Sequence, residues 1–434
     1  MGNAVNEREL VMEVLLAVTR DGQYSHLALG SMLEKYQYLS KNERAFITRV
    51  SEGTLEHMIE IDYIINQFSK VKVNKMKPVI RAIVRSAVYQ LKYMDSVPDS
   101  AVCNEAVKLA GKRGFSGLKG FVNGLLRNIS RNMDAVKYPD PSDKIRWLSV
   151  TYSMPEWIVK QMLSDYPEET VTAVFEDFQK EKPTSIRCNL SKISREDLKK
   201  ALEEEHVTVK LHPTLDCAMY LSDYDYLGAL ECFEKGYFQV QDVSSMEVAM
   251  WASPEQGDSI IDVCAAPGGK SLHLADMLRG TGHVEARDLT EYKVNLILDN
   301  IDRSGLTNID AVCMDATVPD EASIDKADIV IADLPCSGLG VLGKKTDLKY
   351  KMTEQMQQDL VKLQREILSV VHRYVKPGGK LLYSTCTIHK AENEENAQWF
   401  ETQYPEFEKV RERQFIPGVD ESDGFYIAEF RRNV

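Results

Sequence analysis

Ser259-Ile-Ile-Asp-Val-Cys-Ala-Ala-Pro-Gly-Gly-Lys270 narrows the choice of fold more than any other stretch of this chain. Residues 259–263 form a short apolar run of the kind that makes a buried strand. Pro267, Gly268 and Gly269 break it, and residues 271–278 have helical composition. Strand, glycine turn and helix open a nucleotide-binding βαβ unit. Glycine lets the backbone approach a ligand, and a helix N-terminus offers unpaired N–H groups. The spacing is not GxGxxG, so no dinucleotide fingerprint is met, and the turn alone reads equally as an ordinary tight turn.

From Tyr237 onward strand and helix patterns alternate. Strands are expected near 259–263, 283–287, 309–313, 328–333, 380–384 and 425–430, and helices over 243–251, 271–278, 290–304, 355–374 and 390–402. Such alternation implies a mainly parallel sheet covered on both faces, with its ligand beyond the carboxyl ends of the strands. Residues 1–135 read as helices only. Leu10, Val11, Val14, Leu15 and Val18 keep helical spacing, as do Val79, Ile80, Ile83, Val84, Ala87 and Leu91. Asp99 or Ser100 is placed to cap the helix after Pro98. Pro139-Asp-Pro141 marks a boundary. Between 142 and 235 the pattern is mixed, with a helical stretch interrupted at Met154-Pro155 and βαβ-like pieces at 185–190, 195–205 and 207–211. The expected fold class is therefore multidomain: an all-α bundle over 1–138, a small α+β module over 142–235, and an α/β domain over 236–434.

The net charge of −13 excludes a generally basic nucleic-acid binder. The charge is uneven, however. Residues 1–137 carry a net +6 and the remainder a net −19. A basic N-terminal part suits a local polyanion-binding surface, or equally a solvated helical face. The eight cysteines form no CxxC and no zinc-type cluster, so no metal is expected, and their scatter points to a reducing compartment. The start, MGNAVNERELVMEV, lacks an apolar signal core, and no run approaches a membrane span. A cytoplasmic protein without a membrane partner is expected.

Three acidic residues fall where strands should end: Asp288, Asp315 and Asp333. The first can accept ribose hydroxyls, the second reaches toward a nucleobase, and together they favour a nucleoside-type ligand over three solvated carboxylates. Asp333-Leu-Pro-Cys-Ser-Gly338 and Tyr383-Ser-Thr-Cys-Thr387 each put a cysteine at a strand end on that edge. A lone cysteine is more often a small buried apolar residue. Two at strand ends, one beside a carboxylate, read better as a reactive pair, because a thiolate is a strong nucleophile.

Cys264-Ala-Ala-Pro-Gly-Gly-Lys270, Asp333-Leu-Pro-Cys-Ser-Gly338 and Ser384-Thr-Cys-Thr387 resemble the signature motifs of the RNA cytosine-C5 methyltransferases of the NOL1/NOP2/Sun family. Ala87-Val-Tyr-Gln-Leu91, Asn104-Glu-Ala-Val107 and Gly120-Phe-Val-Asn-Gly-Leu-Leu-Arg127 are similar to a NusB-like RNA-binding bundle. The resemblance implies a Rossmann-like class I methyltransferase domain that uses S-adenosylmethionine and acts on small-subunit ribosomal RNA, as a monomer and not on DNA. It assigns the cofactor to Cys264, Ala265, Ala266, Pro267, Gly268, Gly269, Lys270, Asp288, Asp315 and Asp333. It makes Cys386 the nucleophile toward cytosine C6, Asp333 the partner of the base edge, and Cys336 the group that assists loss of the C5 proton. Arg287 is an unusually charged neighbour of Asp288. The alternatives are a DNA-type enzyme with Cys336 as nucleophile, a non-catalytic RNA-binding assembly factor, an enzyme for another RNA such as tRNA, and a nicotinamide oxidoreductase, which the absent GxGxxG disfavours.

Overall fold

The computed structural model describes residues 6–434, so the first five residues of the charged N-terminal stretch lie outside it. The chain divides into two compact units. The first runs to Gln179 and takes in Leu342–Lys351; the second comprises Lys180–Val341 and Met352–Val434.

The first unit is helical. Glu7–Thr19, Ser25–Lys35, Lys41–Glu56, Met58–Phe68, Pro78–Tyr93, Asp99–Lys112 and Lys119–Arg131 bury the apolar stripes read from the sequence in one core. Ser40 and Glu43 close a reciprocal capping box before Lys41. The expected cap at Asp99 or Ser100 is not made. Pro98 occupies the cap position, and Asp99 instead accepts from the Ser130 hydroxyl at 2.5 Å. Lys144–Thr151, Glu156–Asp165 and Glu168–Phe178 complete the helices, broken at Met154-Pro155 as the proline requires. The inclusion of residues 342–351 has no sequence signal. Both oxygens of the buried Asp347 carboxylate accept from Ser25, at 3.0 and 2.6 Å, while the buried Lys349 ammonium donates to the Glu56 carbonyl and the Tyr350 hydroxyl to that of Leu55, each at 2.8 Å.

The second unit carries two sheets. In the smaller, β1 (Thr184–Cys188), β2 (Thr208–Leu211), β3 (Ala218–Ser222) and β4 (Phe238–Val240) lie in the order β2-β3-β1-β4. Every pairing is antiparallel, so the βαβ-like pieces are not a parallel unit. The unforeseen β3 runs between β1 and β2 and takes the place a parallel partner would need.

The larger sheet contains β5 (Ser259–Asp262), β6 (His283–Asp288), β7 (Ile309–Cys313), β8 (Ala327–Asp333), β9 (Val375–Thr385), β10 (Phe407–Phe415) and β11 (Phe425–Arg432), in the order β10-β11-β9-β8-β5-β6-β7. Five neighbouring strands are parallel, and β11 and β10 add an antiparallel edge. Apolar clusters cover both faces, one around Leu272, Ile297 and Ile331 and the other around Leu368, Tyr383, Phe400 and Phe430. Lys376-Pro-Gly-Gly379 lies inside β9, where a register shift between Ala327 and Ile329 and a positive φ at Gly378 absorb it as a bulge.

Candidate active site

β5, β8 and β9 are parallel neighbours, so their carboxyl ends open on one edge, and the three motifs lie there. After β5 the chain turns sharply. Ala265 N–H donates to the Arg287 carbonyl at 2.8 Å and Gly268 N–H to the Ala265 carbonyl at 2.7 Å. Gly268 has φ of +102°, which favours glycine, and a Cβ there would lie a tight 3.3 Å from the Ile297 side chain. The helix Gly269–Met277 follows at once.

Asp288 ends β6 almost fully buried. Its Oδ2 accepts from Ala266 N–H at 3.0 Å, and its Oδ1 from Leu289 N–H at 2.8 Å and from the half-exposed Lys293 ammonium at 2.9 Å. The neighbouring Arg287 belongs to a different task. Its buried guanidinium pairs with Glu285, Asp320 at 3.2 Å and Ser323 at 2.5 Å, anchoring the loop after β7. Asp315 lies exposed just past β7 and accepts from Thr317 N–H and Oγ at 2.9 and 2.7 Å, which holds its carboxyl below the usual range. Cys264 lies beside the glycine turn, where burial and then Asp262, Asp288 and Asp333 push its thiol far up, so it is not a thiolate.

The candidate reacting groups meet between β8 and β9. Asp333 and Ser384 are register partners, and Ser384 Oγ donates to Asp333 Oδ1 at 2.8 Å. Asp333 Oδ2 receives Lys270 Nζ at 2.6 Å. Burial pulls the Lys270 ammonium down, but Asp333 more than offsets it and the net shift is upward. Lys270, read from sequence only as a cofactor residue, is thus brought to the carboxylate that ends β8, three positions before Cys336. Cys336 and Cys386 follow the ends of β8 and β9, with their Sγ atoms 3.3 Å apart. The Cys336 thiol is pushed well up, first by its hydrogen bond with Cys386 and then by burial, since a second negative charge at that separation is costly.

Sequence reasoning missed the groups under this pair. Glu392 and Asn393 lie where one unbroken helix is expected over 390–402. The chain instead makes a single turn, Lys390–Glu392, and breaks at Asn393 before the helix Glu394–Gln403. That break buries both side chains completely. Asp262 was also missed. Its Oδ2 accepts from Ser271 Oγ at 2.6 Å, its buried Oδ1 has no partner, and burial raises its carboxyl to about 7. Among the described residues no group of histidines, cysteines and carboxylates has the arrangement of a metal site, and no helix is long and apolar enough to cross a membrane.

Comparison with known proteins agrees with this geometry. Family models match residues 249–431 (16S rRNA methyltransferase RsmB/F), 5–131 (NusB family) and 154–224 (RsmF/B-like methyltransferase, ferredoxin-like domain). A probable ribosomal RNA small subunit methyltransferase B of Bacillus subtilis is 34% identical over 98% of both chains. Its counterpart in Synechocystis is 30% identical over 99% of this chain and 100% of its own. The solved structure of a protein described as PH0851 superposes with a TM-score of 0.85 at 25% identity over 99% of each chain. With a full-length relative above 30% identity and all three domain models in order, the chain belongs to the RsmB/F family of 16S rRNA methyltransferases.

Proposed function

We propose that this S-adenosylmethionine-dependent ribosomal RNA methyltransferase modifies C5 of a cytosine in small-subunit RNA, through a covalent bond between Cys386 and C6 of the base. The observation that carries the proposal is the contact of two thiols at adjacent strand ends, beside the Asp333–Lys270 ion pair. Residues 1–138 would dock RNA, 142–235 would link, and 236–434 would carry the chemistry, in a monomeric cytoplasmic protein that does not act on DNA.

The residues present fit the cofactor. The turn Cys264–Lys270 is bare of side-chain bulk at Gly268, the buried Asp262 keeps an unpartnered oxygen beside it, and Asp288 spends one acceptor on an exposed lysine that ribose hydroxyls can displace. Asp315 lies open at the next strand end, toward the adenine side. S-adenosylmethionine supplies an electrophilic methyl group to a C5 that has been made nucleophilic.

Making C5 nucleophilic falls to the protein. Cytosine C5 alone is a poor nucleophile; a Cys386 thiolate adding to C6 makes it enamine-like. Asp333, held by Lys270 and Ser384, would hydrogen-bond the N3 edge and favour the charged adduct. The base must leave its stack to enter. Cys336 has a timed role. Before attack the neighbouring Cys386 keeps it a thiol. Once Cys386 is bonded to carbon, that like-charge contribution disappears and Cys336 can release its proton to water. It then takes the C5 proton, and elimination returns Cys386 as a thiolate.

The test is one denaturing gel with RNA, cofactor and two variants. Cys386→Ser should abolish methyl transfer and give no adduct, a hydroxyl without a base being a far weaker nucleophile. Cys336→Ser should attack and accept the methyl, then stall as a protein–RNA adduct. An adduct with Cys386→Ser would reverse the two roles. Absence of labelled methyl transfer to ribosomal RNA by the wild-type protein would favour an assembly factor. Bisulfite mapping then identifies the cytosine.

A further inference from the structure

Glu392 and Asn393 lie outside the reacting cluster, yet between them they hold every residue that flanks the two cysteines. Glu392 Oε2 accepts from Ser337 N–H at 2.9 Å, and its Oε1 from Ser337 Oγ at 2.5 Å. Gln364 Nε2 donates to Glu392 Oε2 at 3.0 Å and to the Pro335 carbonyl at 2.9 Å. Both chain neighbours of Cys336 are therefore tied to Glu392, one directly and one through a glutamine. Asn393 does the same for Cys386. Its Oδ1 accepts from Thr385 Oγ1 at 2.5 Å, and its Nδ2 donates to the Thr387 carbonyl at 3.0 Å. Ser337 Oγ and Thr387 Oγ1, 2.8 Å apart, join the two halves.

Burying a carboxylate is costly unless every oxygen is hydrogen-bonded. Glu392 is completely buried, and its donors are an amide N–H, a hydroxyl, a glutamine and the His389 ring rather than a lysine or arginine. Its backbone carbonyl is fixed as well, by the Tyr383 hydroxyl. An apolar residue would fill this space at lower cost. What a carboxylate adds is direction: two oxygens that fix the backbone and the side chain of the residue after Cys336.

We infer that Glu392 and Asn393 form a positioning pair that sets the separation of the two thiols, with Glu392 responsible for Cys336 and Asn393 for Cys386. The inference rests on the reading of Cys386 as nucleophile and Cys336 as the later base. It divides the labour between two adjacent residues. Loosening the Cys336 loop slows release and spares attack. Loosening the Cys386 loop slows attack itself.

The experiment uses the full-length chain with small-subunit ribosomal RNA and S-adenosylmethionine. It runs Glu392→Gln, Asn393→Ala, Cys336→Ser and Cys386→Ser on one denaturing gel, beside turnover, melting temperature and cofactor affinity. Turnover should fall about ten- to a hundredfold in both new variants, the scale set by misplaced reacting groups. Glu392→Gln should accumulate an adduct as Cys336→Ser does. Asn393→Ala should not, and cofactor affinity should be unchanged in both. Ser337→Ala removes the hydroxyl that donates to Glu392 and meets Thr387 while leaving the Ser337 N–H bond in place; it keeps the test open should Glu392→Gln not fold, and it should show a weaker adduct. Equal adduct levels in the Glu392 and Asn393 variants, or losses of turnover that simply track melting temperature, would overturn the positioning pair. An adduct in Cys336→Ser but in neither Glu392→Gln nor Ser337→Ala overturns this inference alone. No adduct in Cys336→Ser overturns it together with the reading beneath it.

Discussion

Asp262 carries the least comfortable charge of the site. It is buried, one oxygen has no partner, and burial raises its carboxyl to about 7. In the unfolded chain the same group titrates near 3.8. Between those values the folded protein binds a proton that the unfolded chain has released, so this group's contribution to stability falls as pH rises from about 4 to about 7 and is flat above. Each tenfold change in proton affinity corresponds to roughly 1.4 kcal/mol, so the loss is on the order of a few kcal/mol. Asp262→Asn keeps the acceptor for Ser271 and removes the charge. Its melting temperature should exceed that of the wild-type protein at pH 8, with the gap closing toward pH 4; a gap independent of pH would mean that the carboxyl is not the titrating group. Such a carboxyl beside a glycine turn is characteristic of a ligand site. At this scale the sequence reveals residues whose role is local. Cys336 and Cys386 are legible because strand end and cysteine are adjacent in the chain. The pairing of Lys270 with Asp333 is not, since 63 positions separate them. Nor is the task of Arg287, whose charge looks misplaced until Glu285, Asp320 and Ser323 are seen around it.

Elements are legible when their burial is written in their composition. β5, β8 and β11 are apolar runs inside the sheet, and their expected positions are met within one or two residues. β10, Phe-Glu-Lys-Val-Arg-Glu-Arg-Gln-Phe, is an edge strand whose charged residues face solvent, so no apolar run marks it. The helix Gly269–Met277 shows what elements do for one another. Asp276 near its end accepts from the N–H groups of Leu190 and Ser191 at 3.0 and 2.9 Å, just after β1. It is also the counter-charge, at 3.6 Å, of Arg187, which is fully buried on β1. The helix that follows the glycine turn is thereby fastened to the small sheet. Asp276→Ala leaves Arg187 buried without compensation and should cost about 3–5 kcal/mol in urea unfolding. In an Arg187→Met background the same change should cost much less, because the stranded charge is gone. Equal costs in the two backgrounds would show that the ion pair does not couple these elements.

For the whole molecule the informative fact is how the chain is shared between its two units. Of residues 142–235, expected as one module, 142–179 lie in the helical unit and 180–235 in the unit that holds the large sheet, while residues 342–351, six positions past Cys336, lie in the helical unit. The place of residues 342–351 is not legible in sequence, because Ser25 and Glu56 lie 322 and 293 positions away. Two fragments separate the consequences. A fragment of residues 237–434 loses β1, and with it the partner of β4 and the Arg187 side of the Asp276 contact. A fragment of residues 180–434 keeps both, and should unfold at higher urea than the shorter one and bind S-adenosylmethionine. Each fragment removes Ser25, Leu55 and Glu56, the groups that receive Asp347, Tyr350 and Lys349. Residues 342–351 then keep the Asp347–Lys351 ion pair but lose those partners, and their backbone opens to solvent. Trypsin should cleave residues 180–434 at Lys349 or Lys351, sites that burial in the full chain protects. The same loosening reaches the chain leaving Cys336, so this fragment should bind cofactor and yet methylate poorly, with the defect in turnover as well as in affinity for RNA. Full turnover at saturating RNA by residues 180–434 would show that the helical unit serves RNA docking alone and has no part in holding the loop that carries Cys336.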